Sequence, residues 1–553
     1  MSAAIPGQPT RVRLEGLDLL IDGAPFVLLG AEVHNSSSST PQAISTAFDK
    51  VSALGANTVL APVAWDLWEP SEGTFDTALL DSMITAARER GLKLVPLWFG
   101  SWKNAMSSYV PAWVKQDTDR FPRAHTTTSG RIEHLSPFAA ESRDADARAF
   151  HALMDHLRDV DQQQTAVMVQ VENEVGLLGD SRDRSPLAEK AFHSTVPPAV
   201  VEAIARSGHL PVHQDWLAAG SRREGSWPEL LGQGPNADEA FMAHAYAAYI
   251  EHVASAGRKA NDVPLYVNAW LDAPLELDLP TGLNREQPPQ ETAPETAGTV
   301  ALAGGQQPGT YPSGGPLPRV APIWQTAAPT LGFLAPDIYF GDTNAICRDY
   351  TQATGRLFIP EMRRSPAGIG LMFTAIGEYG ALGVAPFGVD SLPGDTPDGV
   401  ALADAYRLLT AATDRTRAGA RRVTGFMLDH ERPTTRHSAD PYTLAFDAPG
   451  PFRQSGGPAY GLVLQEERDQ FLLVGRGFTT RFTAAQDARV GILSVEELDF
   501  DGRWTVTRRL GGDETSSGAS VRLHSLDASQ PAFFPIPLPL TSTGIVRVRL
   551  YTY

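Results

Sequence analysis

The sequence predicts an α/β protein: a closed (β/α)8 TIM barrel followed by an all-β, sandwich-like segment. Three observations predict it. Short apolar runs of strand character alternate with helical stretches at the spacing of βαβ units, and more than six such units favour closure into eight strands. Most of these runs end in polar or aromatic residues, which is where a barrel of this kind keeps its chemistry. Past about residue 415 the helices stop and only strand-like runs remain.

Taken in order, residues 12–17 and 20–23 are two short strands around turn residues, a hairpin at the base of the barrel. Residues 26–35 form the first barrel strand, whose end carries Glu32, His34 and Asn35. A helix over 41–54 follows, with Thr40 as N-cap, Pro41 at its first position and Gly55 past its end. The second strand, 57–65, ends at Trp65 and Asp66. A helix from Asp76 or Thr77 runs to Gly91, and the third strand, 92–99, leads into Trp98, Trp102 and Asn104. After a helix over 144–158, the β-branched run 165–169 leads to the tip Gln170-Val171-Glu172-Asn173-Glu174 of the fourth strand. Residues 176–235 read as a long irregular insertion before a helix over 238–256. The remaining strands are 264–270, 333–339, 356–361 and 381–388. Residues 210–216 compete for the fifth place, but 264–270 follows a better helix. Residues 272–328, rich in Pro, Gly, Thr and Gln, are expected to form a partly ordered lid or a subunit contact of a homo-oligomer.

A helix over 400–412 closes the barrel domain, taken as residues 1–415. Strand-like runs at 442–446, 461–464, 471–474, 490–500, 503–510 and 545–551 make residues 416–553 a second domain, and Asp501-Gly502 between two of them signals a hairpin. Core packing is the default role for its aromatics, with a sugar-binding face as the alternative.

Composition narrows the partners. With 46 basic and 64 acidic residues the 553-residue chain carries a formal charge of −18, which opposes binding to phosphate backbones and to anionic membranes. Neither nucleic acid nor membrane is an expected partner, and no apolar run approaches the roughly 18 residues of a spanning helix. Cys347 is the single cysteine, so an intrachain disulfide framework is excluded. The first eight residues show neither a basic start nor an apolar segment. That predicts a cytoplasmic protein, or a periplasmic or secreted one if a signal was removed.

The chemistry is carried by carboxylates at strand tips. Glu174 on the fourth strand and Glu361 on the seventh can face each other across the barrel mouth. Cleavage of a glycosidic bond requires such a pair, one carboxyl protonated to donate to the leaving oxygen and the other ionised to attack or to activate water. Trp65, Trp98, Trp102 and Trp270 lie near strand ends, where indoles can stack on the apolar face of a sugar ring. Glu32, Asn35, Asn104 and Asn268 are candidates for hydroxyl contacts. No metal or cofactor is called for: His-Glu-x-x-His and Gly-x-Ser-x-Gly are both absent, and Gly232-Gln233-Gly234 follows no strand.

Gln170-Val171-Glu172-Asn173-Glu174 resembles the Gln-x-Glu-Asn-Glu segment of the glycoside hydrolase family 35 β-galactosidases, within the clan of retaining barrel glycosidases. Trp68-Glu69-Pro70, with Gly73, Phe75 and Asp76, is similar to that family's segment after the second strand. The resemblance covers residues 25–390. It implies an oligosaccharide or β-glycoside substrate, Glu174 as acid/base, Glu361 as nucleophile, Asn173 on the 2-hydroxyl and Tyr339 bonded to the nucleophile. Two departures are visible: Gln163-Gln164-Thr165 stands where the family has Gly-Gly-Pro, and Val175 replaces an aromatic. The expected activity is that of an exo-acting retaining β-galactosidase, with other sugars, or a non-catalytic carbohydrate-binding protein, as alternatives. Strands three apart in an eight-strand ring predict carboxyls about 5 to 5.5 Å apart.

Overall fold

The computed structural model describes residues 12–208, 210–272, 305–448, 459–484, 488–512, 514–515, 519–528 and 539–553. Eight parallel strands close into a barrel: β1 (Leu28–Glu32), β2 (Thr58–Ala64), β3 (Lys93–Lys103), β4 (Val169–Asn173), β5 (Leu265–Trp270), β6 (Phe333–Ile338), β7 (Ile359–Met362) and β8 (Gly383–Pro386). They are hydrogen-bonded in chain order, and β8 pairs with β1 through Gly383–Leu28 and Val384–Leu29. All eight lie where the apolar runs predict them.

Alternation sorts the side chains into two cores. Leu28, Leu60, Val95, Leu97, Phe99, Tyr266, Phe333, Ala335 and Phe358 share one buried cluster, the filling of the barrel. Their strand neighbours Leu29, Ala31, Val59, Val63, Leu94, Trp98, Val267 and Leu334 belong to a second cluster shared with the surrounding helices. The filling is closed from below. An antiparallel sheet of Arg13–Glu15, Asp18–Ile21 and Ala24–Pro25 contributes Leu19 to it, and Val12, which precedes the first of these strands, joins the same cluster. The Val12 amide donates to Gln164 Oε1 at 3.2 Å, just ahead of β4.

The helices are longer than the pattern predicts around β4 and β5: Ala140–Val160 before β4 and Pro235–Ala260 before β5. Residues 176–235 are not irregular. They hold four short helices, Pro186–Phe192, Pro198–Arg206, Pro211–Ala218 and Trp227–Leu231. Each has proline in its first turn, where the missing N–H costs nothing. Ser185 caps one of them, and Ser226 with Glu229 forms a capping box on another. The stretch 210–216 is therefore helix rather than strand, burying Val212 and Trp216 one turn apart. Within 272–328, the part predicted to be a lid or subunit contact, residues 273–304 lie outside the described residues. The part from Gly305 onward is packed against the barrel: Leu177 and Ser313 exchange backbone hydrogen bonds of 3.0 and 2.8 Å, and Tyr311 and Leu317 are fully buried.

After the helix Pro397–Arg417 only strands follow among the described residues. A six-stranded and a four-stranded antiparallel sheet enclose Phe426, Phe446, Phe471, Phe478 and Phe482. Phe426 and Phe446 stack at 4.3 Å, so these aromatics are core and not a sugar-binding face. Val490–Phe500 and Trp504–Arg509 pair around Asp501-Gly502 as the predicted hairpin. The outer face of the larger sheet presents Leu462, Leu464, Leu472 and Val474 to the barrel's own helix core. Contact is closest where the helix Pro366–Gly377, next after β7, meets the strand Arg421–Leu428. A Cβ on Gly377 would lie 2.5 Å from the Gly425 Cα, and one on Gly425 only 2.1 Å from the Phe373 carbonyl oxygen. Arg476 adds a buried two-pronged bond to Asp404, 2.9 Å on each arm.

This contact predicts that Gly425→Ala destabilises the whole chain by about 1–3 kcal/mol through overpacking. Thermal melts should show the loss, while Gly394→Ala, where a Cβ meets nothing within 4 Å, should leave the midpoint unchanged.

Candidate active site

At the C-terminal mouth of the barrel the backbone departs from regular alternation. Val169 and Val171 face the helices, so plain continuation would turn Glu172 inward. Instead Glu172 (φ 63°) and Glu174 (φ 46°) both adopt left-handed conformations, which non-glycine residues hold only under constraint. Glu172 is thereby turned to β3 and the helix behind it. Its carboxyl accepts from the Ser101 amide at 3.1 Å and the Trp102 amide at 2.8 Å, next to Asp146. Burial and the adjoining Asp146 raise its pKa well above the usual range, so it is a structural carboxyl locking β3 to β4.

Glu174 is held over the cavity. Its amide donates to Asn268 Oδ1 at 2.9 Å, and Asn268 Nδ2 donates to Asp337 Oδ2 at 2.7 Å. Across the mouth, Glu361 sits at the end of β7 beside Asp337, its register partner on β6. A register shift between Ile359 and Met362 sets the tip of β7. Phe358 lies in the barrel filling while Ile359 and Met362 join the helix core, and Glu361, between them in sequence, faces the mouth. Tyr339 Oη donates to Glu361 Oε1 at 2.5 Å. Glu32, at the end of β1, completes the ring.

Three members of this cluster were not anticipated. Lys103, at the end of β3, is a buried ammonium facing Glu361, Glu174, Glu32 and Asp337. Burial alone would lower its pKa, but the four carboxyls together raise it, so it stays charged. Asp337 shares the inward face of β6 with Ala335, two positions before Tyr339, and that same two-residue step could have found it. Tyr266, two before Asn268 on β5, follows by the same rule, and its hydroxyl lies near Glu32, Asp337 and Glu361.

Four acids and one cation cannot all be charged here. Burial first, then Glu361, push Glu174 up to about 7, against the opposing pull of Lys103 and a hydrogen bond with Asp337. Glu32 and Asp337 are raised well above the carboxylate range by burial and by Glu361. The site thus holds acids that stay protonated near neutral pH. It also holds unpaired polar atoms. Glu32 Oε1, Asp337 Oδ1, Glu361 Oε2, both amide atoms of Asn173, Tyr266 Oη and Trp270 Nε1 are buried with no hydrogen-bond partner among the described residues. Each such atom costs about 1–3 kcal/mol, which a ligand bearing several hydroxyls can offset.

The other anticipated residues lie elsewhere. Trp98 and Trp102 are fully buried on the outward face of β3, because Leu97 and Phe99 take the inward one, and Trp65, which opens a short helix just after β2, is fully buried in the helix core as well. Their indoles donate to Glu69 Oε2, Asp146 Oδ1 and the Leu135 carbonyl. They stack on protein, not on a ligand. Glu69 of the Trp68-Glu69-Pro70 motif is structural too, accepting also from the Gly73 amide at 2.7 Å. Asn35 lines a neighbouring cavity of about 210 Å³ with Asp66, Trp68 and Met83. Asn104 takes a left-handed φ of 52° in the turn just after Lys103. Among the described residues no group of His, Cys, Asp and Glu has the arrangement of a metal site, and no helix is long and apolar enough to cross a membrane.

Comparison with known proteins bears on part of this geometry. The model of glycosyl hydrolases family 35 matches residues 18–209, a span that includes Glu174 and Lys103 but not Glu361. Residues 402–522 match a domain of unknown function, DUF5597. A β-galactosidase of Xanthomonas manihotis is 27% identical over 187 residues, 32% of this chain and 29% of that protein, so the match spans under a third of the relative. Among solved structures, the catalytic domain of a β-amylase from Paenibacillus polymyxa aligns with TM-score 0.45 and 12% identity, over 68% of this chain and 96% of its own. A β-galactosidase from Rahnella sp. R3 aligns with TM-score 0.46 and 14% identity, over 72% and 57%. An exo-β-1,4-mannosidase from an Opitutaceae bacterium gives 0.41 and 14%, over 74% and 63%. The chain is thus a closed (β/α)8 barrel with a carboxyl-lined mouth, and its segment 18–209 is similar to glycosyl hydrolases family 35.

Proposed function

We propose that the protein is an exo-acting, retaining β-galactosidase, with Glu174 as acid/base and Glu361 as nucleophile. The observation that carries this reading is the pairing of a carboxyl raised to about 7 with a second one whose Oε2 is free of partners while its Oε1 is fixed by Tyr339. Glu361 Oε2 attacks the anomeric carbon as Glu174 gives its proton to the leaving oxygen. Glu174, now ionised, takes a proton from the water that releases the sugar. Asn173 binds the 2-hydroxyl through its two unpaired amide atoms. Tyr266, Phe333 and Phe358 fill the barrel beneath the carboxyls, so the sugar is met from the mouth, and the exo mode follows the resemblance to the family 35 β-galactosidases. Galactose is favoured by the similarity to the β-galactosidase of Xanthomonas manihotis. A non-catalytic sugar-binding role is disfavoured because both carboxyls are retained.

Three outcomes are expected. Proton NMR of a β-galactoside reaction should show the β-anomer of the free sugar first, as net retention requires. The pH profile of kcat/KM should be a bell whose basic limb falls near pH 7 as Glu174 loses its proton, and Glu174→Gln should abolish that limb. With a dinitrophenyl galactoside, Glu174→Ala should form the glycosyl-enzyme and stall there. Azide should then restore turnover and yield the β-azide, whereas Glu361→Ala, slow with every leaving group, should yield the α-azide. Near-normal activity of Glu361→Ala would remove it from the mechanism.

A further inference from the structure

Lys103 is a cation facing Glu361, Glu174, Glu32 and Asp337, and its placement is specific. Leu97 and Phe99 carry the inward face of β3, and the lysine ammonium lies 5.1 Å from the centre of the Phe99 ring. Its backbone is pinned by a tight turn: the Lys103 amide donates to the Met106 carbonyl at 2.8 Å, and the Met106 amide returns a bond of 3.1 Å. Asn104 and Ala105 complete that turn with φ of 52° and 55°, and the Ala105 amide donates to the Glu174 carbonyl at 3.2 Å. The residue is only 6% exposed, yet among the described residues its Nζ makes no hydrogen bond and no ion pair. Its three donors are thus open to whatever occupies the mouth. Glu32 Oε1 and Asp337 Oδ1 in the same ring are buried acceptors without donors.

We propose that Lys103 is a specificity residue of the sugar site, donating to hydroxyl oxygens of a neutral, unsubstituted terminal sugar whose hydroxyl protons are taken by Glu32 and Asp337. The proposal rests on the glycosidase reading above and extends it to the substrate class. A sugar hydroxyl both accepts and donates, so the lysine and a carboxyl oxygen satisfy complementary halves of it, and a protonated carboxyl still keeps an acceptor. The same ring rejects an acidic sugar, because a uronate carboxylate would be buried next to Glu361, which Lys103 already faces. A substituent on the bound hydroxyls would take the space of these contacts, so the sugar must be terminal.

The test compares wild type, Lys103→Met and Lys103→Arg on a p-nitrophenyl β-galactoside and on its 3-, 4- and 6-deoxy analogues. Circular dichroism checks the fold of each variant. On the parent substrate Lys103→Met should lose about 10- to 100-fold in kcat/KM, the size of a hydrogen bond to a charged group. The loss should shrink to within about threefold on the analogue that lacks the contacted hydroxyl and persist in full on the others. Lys103→Arg, which keeps the charge in a different shape, should show the same pattern with a smaller gap, and it supplies the comparison if the Met variant does not fold. A loss equal on all four substrates would overturn the proposal, since the lysine would then act through charge or folding alone. Wild-type turnover of the aryl β-galacturonide faster than of the galactoside would overturn it as well. Wild-type inactivity on every glycoside would instead sink the glycosidase reading on which the proposal stands.

Discussion

A closed parallel barrel gives each strand residue two destinations, the filling or the helix layer, and the whole site depends on that constraint. Six of the eight strands supply an inward-facing residue to the filling, Met168 and Phe358 just ahead of β4 and β7 supply the rest, and the core is complete only because alternation is kept through most of the strands' length. The rule is relaxed at the mouth. The left-handed residues at the end of β4 and the register shift in β7 both turn a carboxyl to a side that regular pleating would not choose. Strain of this kind persists only where surrounding bonds over-determine it. Here they do: Asn268 holds the Glu174 amide, and the paired Ser101 and Trp102 amides hold Glu172.

Electrostatics follows from that placement. Five ionisable side chains share one poorly hydrated space, so the charge on any one is set by the others. Burial and Glu361 keep Glu174 protonated, while Lys103 partly offsets both. Tyr339 is held neutral by burial and by Glu361, which makes it a dependable donor to that carboxylate. The raised pKa of Glu174 thus comes from its surroundings and not from its chemical identity, which it shares with Glu361.

Much of this could be read from residue order, and the limits have physical causes. The eight apolar runs were decisive because a strand buried on both faces must be apolar throughout, and tip residues such as Glu32, Glu174 and Asn268 stood out against that background. The tryptophans misled because an indole at a strand end looks alike whichever side it faces, and only counting by twos from Leu97 and Phe99 separates Trp98 and Trp102 from Lys103. Lysine at a strand terminus ordinarily reads as a solvated charge. The four helices within 176–235 escaped because segments of five to nine residues are too short to show a period and their leading prolines resemble loop signals. The turn of Glu172 away from the cavity is set by backbone conformation that no side-chain pattern encodes.

The glycine-to-glycine approach between Pro366–Gly377 and Arg421–Leu428 makes the strand carrying Glu361 dependent on the far end of the chain. The helix immediately downstream of β7 is apolar on every side, with all ten residues from Gly368 to Gly377 buried, so it has no solvent face to fall back on. The C-terminal sheet covers it on one side. That sheet therefore serves as part of the barrel's outer wall, and the architecture divides by sequence character but not by mechanics. A barrel cut free at residue 415 would be left with an open oily seam beside the strand that carries Glu361.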